Sequence, residues 1–257
     1  MAKNDFSAES AENFEQKCLC VLVLDVSGSM QEIVDESDVQ YTGETVYMDG
    51  KKYNLVTGGK TKLDLLNEGL QDFYNEICHD DTTSQRLELS IITFNDTVTV
   101  VQEPALPENV IIPELQGEGD TALVDAVNEA IDKVEARKNW YKETGQPYYR
   151  PWIILMTDGE PNEGQDIGGL ARRIKSDTAN KKYAFLPVGV EGANMEVLQQ
   201  IASEGMKATK LKGMRFAEFF RWLSASMGTI TKAENGQTVN ISQGATGDGG
   251  WMDGFTI

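Results

Sequence analysis

Histidine is nearly missing from this chain: His79 is the only one in 257 residues. A Ser-His-Asp triad and a His-rich zinc site are therefore not expected. Cysteine is scarce as well, with Cys18, Cys20 and Cys78 and no Cys-x-x-Cys. An odd, low count does not make a disulfide framework, so buried thiols in a reducing compartment are expected. Positive charge is in deficit: 23 basic against 41 acidic side chains leave a net charge of −18. That balance argues against wrapping nucleic acid, which takes basic side chains to displace counterions. It also argues against an anionic membrane surface and favours cations. Long hydrophobic runs are lacking too. The longest, residues 18–24 (CLCVLVL), is far short of the roughly 20 residues that span a bilayer. Residues 1–17 are polar, without the apolar core of a secretory signal. The expectation is a soluble, cytoplasmic protein with neither a nucleic-acid nor a membrane partner.

What is present is an ordinary globular composition, 40% hydrophobic and 25% charged. One large domain with tails fits the length. Residues 18–24 read as a strand buried on both faces, as in a parallel sheet. Residues 87–94 (LELSIITF), 152–156 (WIILM) and 183–190 (YAFLPVGV) read as further strands. Pro187 suggests that the last of these lies near a sheet end. Residues 97–102 (TVTVVQ) follow Asn95-Asp96 and suit an antiparallel edge strand. Between them run helical patterns. Thr61 reads as an N-cap with Asp64 three residues on, and Leu63, Leu66, Leu70, Phe73 and Ile77 form one stripe. Leu123, Val127, Ala130, Ile131 and Val134 form another, and Phe216, Phe219, Phe220, Leu223, Met227 and Ile230 a last one. Residues 166–179 and 194–203 are shorter helical segments.

One segment breaks the alternation. Asp49-Gly50 separates residues 44–48 (ETVYM) from 51–56 (KKYNLV), a hairpin signal. The predicted organisation is a flexible lead at 1–16, a domain at 17–232 with an inserted hairpin segment at 31–60, and a mobile Gly/Asp-rich tail at 233–257. The fold class is α/β: a doubly wound, mostly parallel sheet with one antiparallel edge strand.

In such sheets the binding crevice lies beyond the carboxyl ends of the strands. Residues 25–29 (DVSGS) follow the first strand, Thr121 opens the second striped helix after residues 117–120, and Thr157-Asp158-Gly159 follows the WIILM strand. Asp25, Ser27 and Ser29 alternate, so three short oxygen-bearing side chains can turn toward one point. Asp158 ends an apolar strand, where an unpaired carboxylate is costly. Hard oxygen donors without His or Cys suit Mg²⁺, and also Mn²⁺ or Ca²⁺, rather than zinc. Glu118, Asp120 and Glu160 read as an acidic rim or as support behind the ligands.

D-x-S-x-S at 25–29, the Thr of GDT at Thr121 and the Asp of TDG at Asp158 together resemble the von Willebrand factor A family. The resemblance covers roughly residues 17–230, with the motifs in order. It implies the Rossmann-like sheet of that family and its metal-ion-dependent adhesion site. Ser27, Ser29 and Thr121 would be hydroxyl ligands, and Asp25 and Asp158 would bind directly or through water. An acidic residue of a protein partner would complete the coordination. LLNEGLQDF (65–73), LMTDGEP (155–161) and AEFFRWLSASM (217–227) are similar to compact bacterial cytosolic members, the TerY-like proteins of tellurium-resistance-type stress clusters. This implies a partner-binding scaffold.

The sequence departs from the pattern in two places. About 30 residues separate the DxSxS loop from the first helix where the family has a short link. Asp120 stands where glycine is common, adding negative charge that attracts a cation and repels an acidic partner. Two other function classes are a Mg²⁺-dependent phosphoryl-transfer enzyme and a structural subunit of a larger assembly. The first lacks support: Ser27 stands where an aspartyl nucleophile's second carboxylate would be, and no G-x-x-x-x-G-K-[ST] occurs. No catalytic residue and no enzymatic activity are expected.

Overall fold

The computed structural model describes residues 14–48, 51–203, 206–212, 215–234 and 252–253. Its centre is β1 (Cys18–Asp25), buried along its whole length. Cys18, Cys20, Leu22 and Leu24 face one core, and Leu19, Val21 and Val23 face the other. The two-residue period of a strand thus divides one continuous apolar run between two hydrophobic layers.

Around β1 lie β6 (Leu87–Phe94), β7 (Val98–Ala105), β8 (Trp152–Thr157), β9 (Ala184–Gly189), β10 (Thr209–Leu211) and β11 (Met252–Asp253). They form a seven-stranded sheet in the order β11-β10-β9-β8-β1-β6-β7. β1 pairs in parallel with β6 and with β8, β8 with β9, and β9 with β10. β7 is antiparallel to β6, as expected from its turn residues. β11 is antiparallel to β10 at the other edge. It falls inside the tail expected to be mobile; the rest of that tail, from residue 235 on, lies outside the described residues. So do residues 1–13 of the expected flexible lead. Glu15 of that lead is tied down, its carboxylate 2.6 Å from the Arg86 guanidinium.

Pro187 does not lie on an edge strand. β9 sits between β8 and β10, but its ladder with β10 begins only at Val188, one residue after the proline. The missing N–H thus falls where β9 has no β10 partner.

Helices cover both faces. α1 (Lys62–His79) and α6 (Phe216–Lys232) pack on one side, with Phe73 and Phe220 rings 5.7 Å apart. The predicted stripe of Leu63, Leu66, Leu70, Phe73 and Ile77 is buried. α1 starts with a full capping box: the Thr61 hydroxyl accepts from the Asp64 N–H, and the Asp64 carboxylate accepts from the Thr61 N–H. The short α2 (Asp81–Arg86), which periodicity did not reveal, follows directly. On the other face lie α3 (Leu123–Thr144), α4 (Ile167–Ala179) and α5 (Met195–Ile201).

A buried ion pair joins α3 to β6. Arg137 of α3 donates from Nε and Nη2 to the two oxygens of Glu88 at 2.7 and 2.6 Å. Tyr141 adds its hydroxyl at 2.5 Å, the guanidinium lies over the Trp140 ring, and Tyr148 stacks on Tyr141. Trp140, Tyr141 and Tyr148 therefore serve packing and shield a charge pair. Burial pushes the Cys18 thiol up to about 12, so it stays protonated.

The insertion is built as a stem and an arm. β2 (Ile33–Asp35) pairs antiparallel with β5 (Lys60–Thr61), bringing Ile33 opposite Thr61. Beyond this stem β3 (Gln40–Met48) pairs with β4 (Lys51–Thr57), with Met48 opposite Lys51. The Asp49-Gly50 turn itself lies outside the described residues. Tyr41 and Tyr47 are exposed on the arm.

Candidate metal centre

The sheet order reverses at β1: the chain moves from β1 to β6 on one side and then back to β8 on the other. The carboxyl ends of β1 and β8 therefore open onto the switch-point crevice. β1 ends at Asp25 and β8 at Thr157, so both strands deliver their motifs to this place. Between them arrives the loop before α3. Gly119 in it has φ +74°, and a Cβ there would overlap the Asp96 carboxylate, so glycine is required. Its carbonyl accepts from the Gly28 N–H at 2.9 Å, which ties this loop to the DxSxS turn.

Four of the five expected ligands line one cavity of about 460 Å³: Ser27, Ser29, Thr121 and Asp158. Ser29 Oγ donates to Asp158 Oδ1 at 2.6 Å and lies 3.1 Å from Ser27 Oγ. The Thr121 N–H donates to Asn162 Oδ1 at 2.7 Å, and its carbonyl accepts from Gln165 Nε2 at 2.7 Å, which fixes the residue between two loops. Gly159 leaves room beside its hydroxyl: a Cβ there would stand 2.9 Å from Thr121 Oγ1 and 3.4 Å from Asp25 Oδ2.

Asp25 sits behind this wall and is fully buried. Its Oδ1 accepts from the Ser27 N–H at 2.8 Å, and its Oδ2 accepts from the Thr157 hydroxyl. Burial raises its pKa, against the opposing hydrogen bonds from Ser27 and Thr157, and the nearby Asp158 charge adds to the rise. Asp25 thus holds the loop and would act on an ion through its neighbours. Of the expected rim, Asp120 and Glu160 line the cavity and Glu118 does not. Glu160 accepts from Asn194 Nδ2 at 3.1 Å. His79, at the far end of α1, takes no part.

Thr157, Asn162, Gln165, Glu32 and Lys62 were not anticipated. Lys62 is the first residue of α1 and is 2% exposed. Its Nζ lies 2.8 Å from Asp158 Oδ2, 2.7 Å from Glu32 Oε2 and 3.1 Å from the Glu191 carbonyl oxygen. Burial lowers its pKa, but the hydrogen bonds to Asp158 and Glu32 outweigh this and raise it, so the ammonium stays charged.

The donors fit a hard divalent cation. They are carboxylate and hydroxyl oxygens, and the cavity is lined by Ser27, Ser29, Thr121 and Asp158 with three more acids, Glu32, Asp120 and Glu160. Among the described residues no group of three or more His, Cys, Asp or Glu side chains is placed to hold a metal. The fit therefore rests on the hydroxyls, not on a carboxylate cage.

The sequence profile of the von Willebrand factor type A domain matches residues 63–219, more than half of the chain. The chain therefore belongs to that family. The match begins just after Lys62, so the DxSxS loop and the insertion lie outside it. Domains of this family typically act as protein-interaction modules and commonly bind a divalent metal at the adhesion site. No curated protein matches the sequence. Among solved structures, the PilB minor pilin of Streptococcus sanguinis is similar, with a TM-score of 0.53 and 14% identity over 82% of this chain. A mutant of the same pilin gives 0.55 at 12% identity over 82% of this chain. The chain spans 61% of that pilin's length. The ArnB paralog VWA2 of Sulfolobus acidocaldarius gives 0.48 at 14% identity, covering 84% of this chain and 44% of that one. At such identities the likeness is one of fold. Among the described residues no helix is long and apolar enough to cross a membrane.

Proposed function

We propose that this protein recognises a protein partner through a divalent cation, Mg²⁺ in the first place, with Mn²⁺ or Ca²⁺ as chemical substitutes. Ser27, Ser29, Thr121 and Asp158 hold the cation, and Asp25 braces the loop that presents them. The observation that carries this reading is the meeting of these hydroxyls and carboxylates, from three separate loops, at one cavity on the switch point. The cation supplies an electrophilic point to which an oxygen of the partner binds; the chain supplies its position and shape. No catalytic residue is assigned, and His79 stands apart from the cavity.

The acidic residue that such partners commonly offer would face Asp120, Glu32 and Glu160 around the cavity. The ion's charge must then outweigh these carboxylates, which favours partners presenting one acid among neutral or basic groups. The exposed Tyr41 and Tyr47 of the inserted arm are a further contact surface. The motifs at 65–73, 155–161 and 217–227 support a cytoplasmic scaffold in a bacterial stress response of the tellurium-resistance type. The protonated, buried Cys18 thiol accords with a reducing compartment.

Affinity capture from the native extract, with Mg²⁺ and with chelator, tests the reading. Proteins retained by the wild type with Mg²⁺ should be lost with chelator, with Ser27→Ala and with Asp158→Ala. Their identity tests the stress-response role. Retention of the same proteins by both variants would overturn the metal-dependent interface.

A further inference from the structure

A lysine at the first position of a helix is misplaced for the helix itself. The amino end carries partial positive charge and favours acids, and α1 otherwise follows that rule with Asp64 in its capping box. Lys62 breaks it, and its charged end is withdrawn from solvent. Local rules are broken at functional places, and this one lies on the wall of the cavity.

The three donors of the ammonium have three acceptors: Asp158 Oδ2, Glu32 Oε2 and the Glu191 carbonyl. The two carboxylates differ. The Asp158 side chain is 0% exposed, whereas that of Glu32 is 66% exposed and sits at the base of the insertion's stem. The Lys62 backbone N–H also donates to the Glu32 carbonyl at 3.0 Å, so these two residues stay together whatever the side chains do.

We propose that Lys62 is a resident counter-cation of the metal site, sharing Asp158 with the divalent ion and thereby weakening that ion's binding. This rests on the reading of Ser27, Ser29, Thr121 and Asp158 as a divalent-cation site. The ammonium and the ion draw on the same carboxylate and repel each other across a few ångströms in a partly dry wall. When the ion takes Asp158, Lys62 keeps Glu32 and the Glu191 carbonyl, so its charge is never left unpaired. Glu32 gives the displaced ammonium its second seat. The site is set to fill only when free cation is plentiful or when a partner's acid adds to the ion's hold.

The test is a Mn²⁺ titration of the full chain by electron paramagnetic resonance, which counts free Mn²⁺. Wild type, Lys62→Gln, Lys62→Met and Ser27→Ala are compared, with circular dichroism to verify the fold. Lys62→Gln and Lys62→Met should bind Mn²⁺ roughly ten- to a hundredfold more tightly than the wild type, and Ser27→Ala should lose binding. Damage to the structure does not raise affinity, so a gain isolates the charge. Thermal unfolding gives a second reading: without divalent ion Lys62→Gln should melt below the wild type, and Mn²⁺ should raise its midpoint by more. Equal or weaker Mn²⁺ binding by both folded lysine variants, beside a wild type that binds, overturns the role of Lys62 and leaves the metal site standing. Absence of Mn²⁺ binding in the wild type and in both lysine variants overturns the metal site and this inference with it. Should Lys62→Met not fold, Lys62→Gln, which is one atom shorter but keeps a hydrogen-bond donor, decides.

Discussion

The Arg137–Glu88 and Lys62–Asp158 pairs are both withdrawn from solvent, with side-chain exposures of 1% and 0% in the first and 3% and 0% in the second. The first is bidentate, closed by Tyr141 and roofed by the Trp140 ring. The planar guanidinium matches the carboxylate on both oxygens. The second is a single contact from a compact ammonium, on the wall of an open cavity, with the exposed Glu32 as a second seat. Burial alone therefore does not say what a charge pair is for. A bidentate pair under an aromatic roof is a brace, and a single contact on a cavity wall is exchangeable.

The largest effect is expected at the buried, bidentate pair. Glu88→Gln removes half of the charge pair that the buried Arg137 guanidinium makes through two nitrogens and should cost roughly 3–5 kcal/mol in urea unfolding. Replacing both residues with Met should cost less than that, because neither charge of the pair is then left without the other. If the single and double variants cost the same, the pair is not the sealed brace described above.

An intermediate effect is expected at Lys62. Lys62→Gln removes one charge beside Asp158, which keeps the Ser29 hydroxyl and lines the cavity. A loss of about 1–3 kcal/mol is expected, and saturating Mn²⁺ should cancel most of it. A loss that Mn²⁺ leaves unchanged would make Lys62 a second Arg137.

The smallest effect belongs to a surface pair, Lys232–Asp80, whose side chains are 50% and 38% exposed. Lys232 first, then the Thr83 N–H, lowers the Asp80 carboxyl from 3.8 to about 2. The folded value lies below the unfolded one, so the contribution is present in full above 3.8 and is lost as the pH falls through about 2. Solvent screening reduces it to about 1 kcal/mol. Asp80→Asn keeps the cap of α2 and should lose that amount at pH 7. Measured near pH 2, wild type and variant should unfold nearly alike.

Much of the frame was legible because single residues answered single local rules. The apolar run at 18–24 could be satisfied only by burial on both faces, and Thr61 with Asp64 marked where α1 begins. The DxSxS, Thr121 and Asp158 motifs pointed to one place because the topology of doubly wound sheets sends strand ends there. Elements of two or three residues, such as β2, β5 and β10, escaped because so short a stretch shows no periodicity. Glu88 was hidden by its setting: inside LELSIITF an acid reads as the solvent face of a strand, and only the partner 49 residues away on α3 shows otherwise. Lys62 was hidden for the same reason. A lysine beside Thr61 reads as solvated, and its partner Asp158 is 96 residues distant. Pairing between remote charges leaves no local trace.

Ile33 and Thr61 stand opposite each other in the stem of the insertion. A segment whose two ends already touch adds little loop-closure cost to its host, whatever its length. The arm beyond the stem can thus be shortened, lengthened or exchanged while the sheet, the capping box of α1 and the cavity stay as they are. The part of this molecule best placed to acquire a new specificity is the part that the rest of it depends on least.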